Sequence, residues 1–375
     1  MKTIYLDYAA TTPVHKNVMD AMLPYFQDKF GNSGSQQHLY GWEAEEVIEQ
    51  ARATIAQCFQ VKNRQIVFTS GATESNNLAI QGYLKSFSSP GHLITCQTEH
   101  KAVLEVFQHL EIQGWQVTYL SVDTNGQISL IDLQNSIQST TRLISLMWVN
   151  NETGNLHPIP EIVQIAKANQ IVLHCDATQA LGKIDVSAVD LPDLISFSAH
   201  KIYGPKGIGG LVIKNESIQL QPLVFGGNQE RGLRSGTLPT PQIVGMAEAF
   251  KLLPVMLNKG LLYKKWNIKL GEMLKNKFPN KIVFNSCQNS IPSILSFSIK
   301  NIDWEELFNR LPQIAVSNGS ACNSKTKNPS HVLMAMGLDK HTALSTIRLS
   351  MGLFSTDEEM AFTLDYLETQ LSQLI

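Results

Sequence analysis

The chain has no apolar stretch near the roughly 18 residues that a membrane span needs. Its first residues, M1-K-T-I-Y-L-D7, contain no long apolar segment of the kind that makes a secretory leader. Charge of one sign is scarce, with a formal net charge of -2 over 375 residues, so no broad basic surface exists to attract nucleic acid. Cysteine is sparse too. Cys58, Cys96, Cys175, Cys287 and Cys322 are scattered, odd in number and without a CxxC pair, which argues against a disulfide framework and against a structural zinc site. No bound metal, direct nucleic-acid partner or membrane partner is expected, and a reducing, cytoplasmic setting is. Internal repeats and low-complexity linkers are absent as well.

What is present is an ordinary apolar content of 43% beside 17% charged residues, in a chain longer than one core usually serves. A large and a small domain follow. Seven short apolar runs read as strands: I66–T69, H92–C96, Q116–L120, R142–W148, I171–H174, L194–F197 and G209–I213. Helical stretches at A102–L110, L130–I137 and I159–A168 separate several of them. That alternation predicts an α/β fold with a mostly parallel seven-stranded sheet covered on both faces. The character changes near Pro239, with a helix through A247–L253 leading away. Beyond it, I282–F284 and I294–F297 read as strands, while D303–L311, S330–M336 and the amphipathic E359–I375 read as helices. The expected division is a large domain over 15–250 and a small one from 1–14 with 251–375.

Ligands in such sheets sit at the carboxyl ends of strands. The polar residues Thr73, Asn151, Asp176 and His200 each follow an apolar run, which predicts one convergent site. The segment S196-F-S-A-H-K-I-Y-G-P-K206 puts Lys201 between an apolar run and a Gly/Pro turn. A lysine so placed can form a Schiff base with pyridoxal 5'-phosphate. Asp176 lies 25 positions earlier in H174-C-D-A-T-Q179 and can pair with the pyridine nitrogen, keeping it protonated. Ser198 and His200 can donate to the phosphate, and Ala72-Thr73, at a helix start, can add backbone donors and a hydroxyl. His100 can stack on a ring or move a proton near neutral pH. Asn151 and Gln179 offer amides to a cofactor hydroxyl, and Arg348 can grip a substrate carboxylate bidentately. Thr237, in G226-G-N-Q-E-R-G-L-R-S-G-T237, can supply a phosphate-binding hydroxyl across a subunit interface. Read singly, most of these residues also have structural roles: a helix cap for Thr73, a turn for Asn151, a solvated or interface arginine for Arg348. Cys96 and Cys175 lie in apolar runs and read as core, whereas Cys322 falls in the polar loop S317–P329.

Taken together, S70-G-A-T-E-S-N-N77, T98-E-H100, N151-E-T-G154, H174-C-D-A-T-Q-A-L-G-K183, F197-S-A-H-K201, R231-G-L-R-S-G-T237, G319-S-A-C322 and I347-R-L-S350 resemble the motifs of cysteine desulfurases of the NifS/IscS group, class V enzymes of fold-type I. The resemblance covers nearly the whole chain. It implies a homodimer with the cofactor on Lys201, the pyridinium partner on Asp176 and the stacking acid–base histidine on His100. Phosphate contacts fall on Ala72, Thr73, Ser198, His200 and Thr237 across the interface. Asn151 and Gln179 match cofactor contacts, Arg348 with Asn151 the substrate site, and Cys322 the nucleophile that takes sulfur from L-cysteine as a persulfide. Onward delivery to an acceptor for iron–sulfur cluster, thio-cofactor or tRNA synthesis is implied too.

The sequence departs from that pattern at K325-T-K-N328, at Asn32-Ser33, at Leu353 and in a short tail after the last helix. These departures bear on partner docking more than on chemistry. A selenocysteine lyase, another class V enzyme using the same cofactor, or a non-catalytic sulfur-transfer platform remain the alternatives from residues alone.

Overall fold

The computed structural model describes residues 3–187, 189–318 and 328–374. The chain opens with β1 (Ile4–Tyr5) and a helical stretch that ends in the long helix Leu39–Cys58. It then builds β2 (Ile66–Thr69), β3 (His92–Cys96), β4 (Gln116–Leu120), β5 (Thr141–Ser145), β6 (Val172–Asp176), β7 (Leu194–Ser198) and β8 (Gly209–Ile213). These seven form one sheet in the order β2-β8-β7-β6-β5-β3-β4. Pairing is parallel throughout except at β8, which runs antiparallel to both its neighbours. Strands β2, β3, β7 and β8 are buried along their whole length. Their sequences are accordingly apolar in continuous runs, as a sheet covered on both faces requires.

The helix Ala72–Leu84 lies on this sheet and starts at Gly71, which offers no side-chain cap. Its first-turn N–H groups therefore have no partner within the helix and face the carboxyl end of β2. Glycine is required nearby. A Cβ on Gly209 would sit 2.5 Å from the Phe197 carbonyl oxygen and 2.6 Å from the Gly71 Cα, both backbone. The close approach of β8 to that helix start is thus possible only without a side chain.

The remainder contains β9 (Ile282–Phe284), β10 (Ile294–Ile299), β11 (Ile314–Ala315) and β12 (Thr346–Ser350). A three-stranded antiparallel sheet runs β12-β10-β9, and β11 pairs in parallel with β1. One apolar cluster packs around the large sheet. A second joins Leu6 to Tyr263, Trp266, Leu270 and Leu274 of the helix Gly260–Lys277, to Phe297 and Leu349, and to Leu367 of the helix Asp357–Ser372. No helix among the described residues is long and apolar enough to cross a membrane.

The expected strands recur at their positions within a few residues, and the helix expected over 159–168 is found as Ile159–Ala168. Two expectations change. The strand expected over 142–148 ends at Ser145, although Leu146 and Trp148 still donate to the His174 and Asp176 carbonyls. The helix expected through A247–L253 is two helices, Thr240–Phe250 and Leu253–Asn258, with a proline in the first turn of the second. Pro254 has no N–H to donate to the Phe250 carbonyl, so the first helix cannot run on through it, while a first-turn position in the second helix needs no such donor.

Candidate active site

The carboxyl ends of the central strands open into a cavity of about 490 Å³. Ala72, Thr73, His100, Asn151, Asp176, Gln179, Ser198, His200, Lys201 and Arg348 all line it. Ala72 and Thr73 open the helix after β2, Arg348 is carried in by β12, and the others arrive from the end of a strand or the segment after it. Thr237 is exposed and outside this lining, on a loop after β8. Cys322, with Gly319, Lys325 and Lys327, lies outside the described residues.

Asp176 ends β6 with its carboxylate held on both oxygens. Asn76 Nδ2 donates to Oδ2 at 2.8 Å and the Thr178 N–H donates to Oδ1 at 2.9 Å. Lys201 follows β7 in a single 3-10 turn. Its Nζ donates to the Ala9 and Ala10 carbonyls at 2.6 and 2.7 Å. Gln179 Nε2 donates to the same Ala9 oxygen at 2.7 Å. His200 Nδ1 lies 3.1 Å from Thr11 Oγ1, and burial first, then the Lys201 and Lys206 charges, push its pKa down to about 4. Its ring is therefore neutral at pH 7 and can donate one hydrogen bond.

His100 caps the helix Lys101–Ile112: its Nδ1 accepts from the Ala102 N–H at 3.1 Å. That bond leaves the proton of the neutral ring on Nε2. Burial lowers its pKa, and Asp176 opposes the shift while Lys201 adds to it. Arg348 is buried, with Nη1 donating to the Asn151 carbonyl at 2.7 Å and Nη2 to Asp7 Oδ1 at 2.6 Å.

The wall also holds residues that the sequence reading passed over: Asn76, Glu152, Lys206 and His331. Asn76 follows Ala72 by four positions, one helical turn, so a helix placed over S70–N77 would have pointed to it. His331 Nε2 donates to the Glu99 carbonyl at 2.8 Å, and Ser330 Oγ donates to the buried Glu152 carboxylate at 2.5 Å. Burial holds both Glu99 and Glu152 above the ordinary carboxyl range. Among the described residues no cluster of side chains is arranged to hold a metal ion.

A doubly covered, mostly parallel sheet with a lysine, an acid and a helix N-terminus converging at its carboxyl edge is the arrangement of a cofactor-dependent α/β enzyme. The chain belongs to the aminotransferase class-V family, whose model matches residues 4–362. It is 45% identical over 379 residues to "Cysteine desulfurase IscS" of Neisseria meningitidis serogroup C, covering 99% of this chain and 93% of that protein. Among solved structures it is similar to a "NIFS-LIKE PROTEIN", with TM-score 0.91, 36% identity and coverage of 99% and 100% of the two chains. It is similar too to "SspA in complex with cysteine", with TM-score 0.83, 38% identity and coverage of 94% and 100%.

Proposed function

We propose that this chain is a pyridoxal 5'-phosphate-dependent cysteine desulfurase. It converts L-cysteine and the Cys322 thiol to L-alanine and a Cys322 persulfide. The carbon–sulfur bond of the substrate breaks, a sulfur–sulfur bond forms on Cys322, and the vacated carbon takes up a proton. The observation that carries this reading is the convergence of Lys201, Asp176, His100 and Arg348 on one cavity in a chain so similar to proteins of that activity.

The residues fit the cofactor. The uncapped start of the helix Ala72–Leu84 presents N–H donors beside Thr73, Ser198 and the neutral His200, a donor set suited to a phosphate. The carboxylate of Asp176, oriented by Asn76 and Thr178, suits a protonated ring nitrogen. When bound, the cofactor draws electrons from the substrate Cα. Lys201 binds the cofactor, then, as a neutral amine, takes and returns the Cα proton. His100, with its proton on Nε2, would stack against the cofactor ring. Arg348, with Asn151, holds the substrate carboxylate, and Cys322 takes the sulfur as a thiolate. Gln179 donates to a cofactor hydroxyl.

The same reading includes a homodimer. Phe26, Phe30, Leu39, Tyr40 and Trp42, on the N-terminal helices and the loop between them, are exposed large apolar residues, and the Phe30 and Tyr40 rings lie 5.5 Å apart. Such a surface is suited to a second copy, and the exposed Thr237 would then reach the partner's phosphate. The division into 15–250 and 1–14 with 251–375 is supported by the second apolar cluster, drawn wholly from the latter unit, while the cluster on the large sheet also takes in Tyr8, Ala9, Leu253 and Met256 along the contact between the two. Cytoplasmic residence and sulfur delivery to an iron–sulfur or tRNA-thiolation acceptor complete the proposal.

The test is to incubate purified protein with L-cysteine and measure alanine together with intact mass. Alanine plus a one-sulfur adduct, absent in Cys322→Ala, supports the reading. Bound cofactor with neither product would overturn it, and selenocysteine would then be the next substrate tried.

A further inference from the structure

The turn after β6 carries Lys183 as well as Asp176 and Gln179, and the roles above leave Lys183 without one. Its Nζ donates to Gln179 Oε1. The other end of that amide donates to the Ala9 carbonyl at 2.7 Å, and Lys201 Nζ donates to the same oxygen at 2.6 Å. The two lysines are thus joined by a chain of one amide and one carbonyl. As an ammonium Lys183 can only donate, and the Ala9 carbonyl can only accept, so together they fix which way the Gln179 amide points: oxygen toward Lys183, NH2 toward Ala9.

Lys183 and Lys201 also border one small cavity of about 20 Å³, together with Tyr8, Tyr203, Tyr263 and Ser350. The charged and titratable groups facing Lys183 are Lys201 after β7, Arg348 on β12, Tyr8 after β1, Tyr203 after the Lys201 turn, and Tyr263 on the helix Gly260–Lys277. No carboxylate lies within ion-pair distance of it among the described residues. Burial first, then repulsion by Lys201 and Arg348, lower Lys183 to about 7. Repulsion is mutual, so a proton on either amine disfavours one on the other.

We propose that Lys183 is a positioning residue of the cofactor site: it locks the Gln179 amide and, in its protonated form, places a second cation behind Lys201, so that the Lys201 nitrogen releases its proton more readily. The inference rests on the reading that Lys201 carries the cofactor. Its consequence is a larger fraction of Lys201 in the unprotonated form before substrate arrives.

The experiment titrates the visible absorption of the holoenzyme against pH, without substrate, for wild type, Lys183→Met and Lys183→Arg. Borohydride reduction and peptide mapping locate the cofactor in each. The expected result is cofactor on Lys201 throughout, a midpoint raised by about one pH unit in Lys183→Met, and a Lys183→Arg midpoint at or below that of wild type, since arginine stays charged. Should Lys183→Met not fold, Lys183→Gln removes the charge while keeping a donor and gives the same readout. Cofactor on Lys201 with an unmoved midpoint in the neutral variant overturns this proposal alone, as does an arginine variant shifted as far as the neutral one. Cofactor mapped to another lysine overturns the cofactor reading and this proposal with it.

Discussion

Arg348 and Asp7 form an ion pair across the join of β12 and the N-terminal segment, Nη2 to Oδ1 at 2.6 Å. The guanidinium side chain is 1% exposed and the carboxylate 19%. A second donor of the same guanidinium holds the Asn151 carbonyl, so the planar fork is oriented from two sides before any substrate carboxylate arrives. Lysine cannot reproduce that fork. Arg348→Lys is expected to raise KM for L-cysteine by roughly ten- to a hundredfold through the lost bidentate bond, with kcat changed less. Steady-state kinetics check this, and an unaltered KM would remove Arg348 from the substrate site. Asp7→Asn removes the negative charge paired with Arg348 and is expected to destabilise the fold by about 2 kcal/mol, read from urea unfolding.

His100 has two jobs that substitutions can separate. Its ring nitrogen caps the helix Lys101–Ile112 through the Ala102 N–H, and its other nitrogen faces the cavity chemistry. Asparagine keeps a capping oxygen and alanine does not. Both variants should lose turnover by about 10²–10⁴ if the ring moves a proton, while only His100→Ala should also lose about 1 kcal/mol of stability. The pH profile carries the same logic. Burial lowers the pKa of His100, so its neutral form persists below the usual histidine range near 6.5. Any loss of activity that comes from protonating this ring should therefore set in below that range, apart from losses due to the Cys322 thiol or the Lys201 amine at higher pH. A wild-type-like rate in His100→Asn would leave the residue a cap alone.

The strands were legible because they are buried on both faces. Runs such as I66-V-F-T69 and G209-G-L-V-I213 are continuous in apolar residues and bounded by polar turns, and after the parallel strands, as after I66–T69, the site residues follow within a few positions. The N-terminal helices were not. The buried face of Leu39–Cys58 is made of Gly41, Ala44, Ile48, Ala51, Arg52, Ile55 and Ala56. Small residues and a buried arginine give a weak apolar period, because Arg52 is hidden by pairing with Glu230, 178 positions away. The helix Gly260–Lys277 does bury Tyr263, Trp266, Leu270 and Leu274 at helical spacing, but the lysines between them mask it. Within the site, residues that touch the reacting groups announced themselves by type and place. Supports such as Asn76 and Asp7 did not, since their partners are distant in sequence and known only once the sheet is assembled.

His157 ties stability to pH. Its ring is buried, neither nitrogen has a partner among the described residues, and burial alone pushes its pKa down to about 4. His174 is held at about 4 as well, between Ser145 and Ser196. In the unfolded chain both titrate near 6.5. Between about pH 6.5 and pH 4 the unfolded state therefore binds more protons than the folded one, and stability falls as pH falls through that window. Each histidine contributes about 3 kcal/mol to the loss by pH 4. His157→Leu should flatten the slope of unfolding free energy against pH by one proton's worth in this range. An unchanged slope would mean that His157 is not buried neutral.

Gly209 gives the last prediction, because it links the sheet to the proposed phosphate cradle. Its α-carbon passes so close to Gly71 that an added methyl group would sit 2.6 Å from the Gly71 Cα and 2.5 Å from the Phe197 oxygen. Both neighbours are backbone, so neither can swing aside as a side chain would. Gly209→Ala must therefore separate β8 from the start of the helix Ala72–Leu84, displacing the N–H groups beside Thr73 and Ser198. Overpacking of this kind costs about 1–3 kcal/mol. Because the displaced backbone is the donor set itself, the loss should appear in cofactor affinity as well as in stability, with roughly tenfold or greater weakening measured by reconstitution of the apoprotein. Gly207 is the matched control: it also lines the cavity, but a Cβ there meets nothing within 4 Å. Its positive φ of 81° makes alanine locally strained, so Gly207→Ala should lose stability without pressing on Gly71. If the two variants weaken the cofactor equally, backbone strain rather than the contact with Gly71 governs the cradle, and the steric account of Gly209 fails.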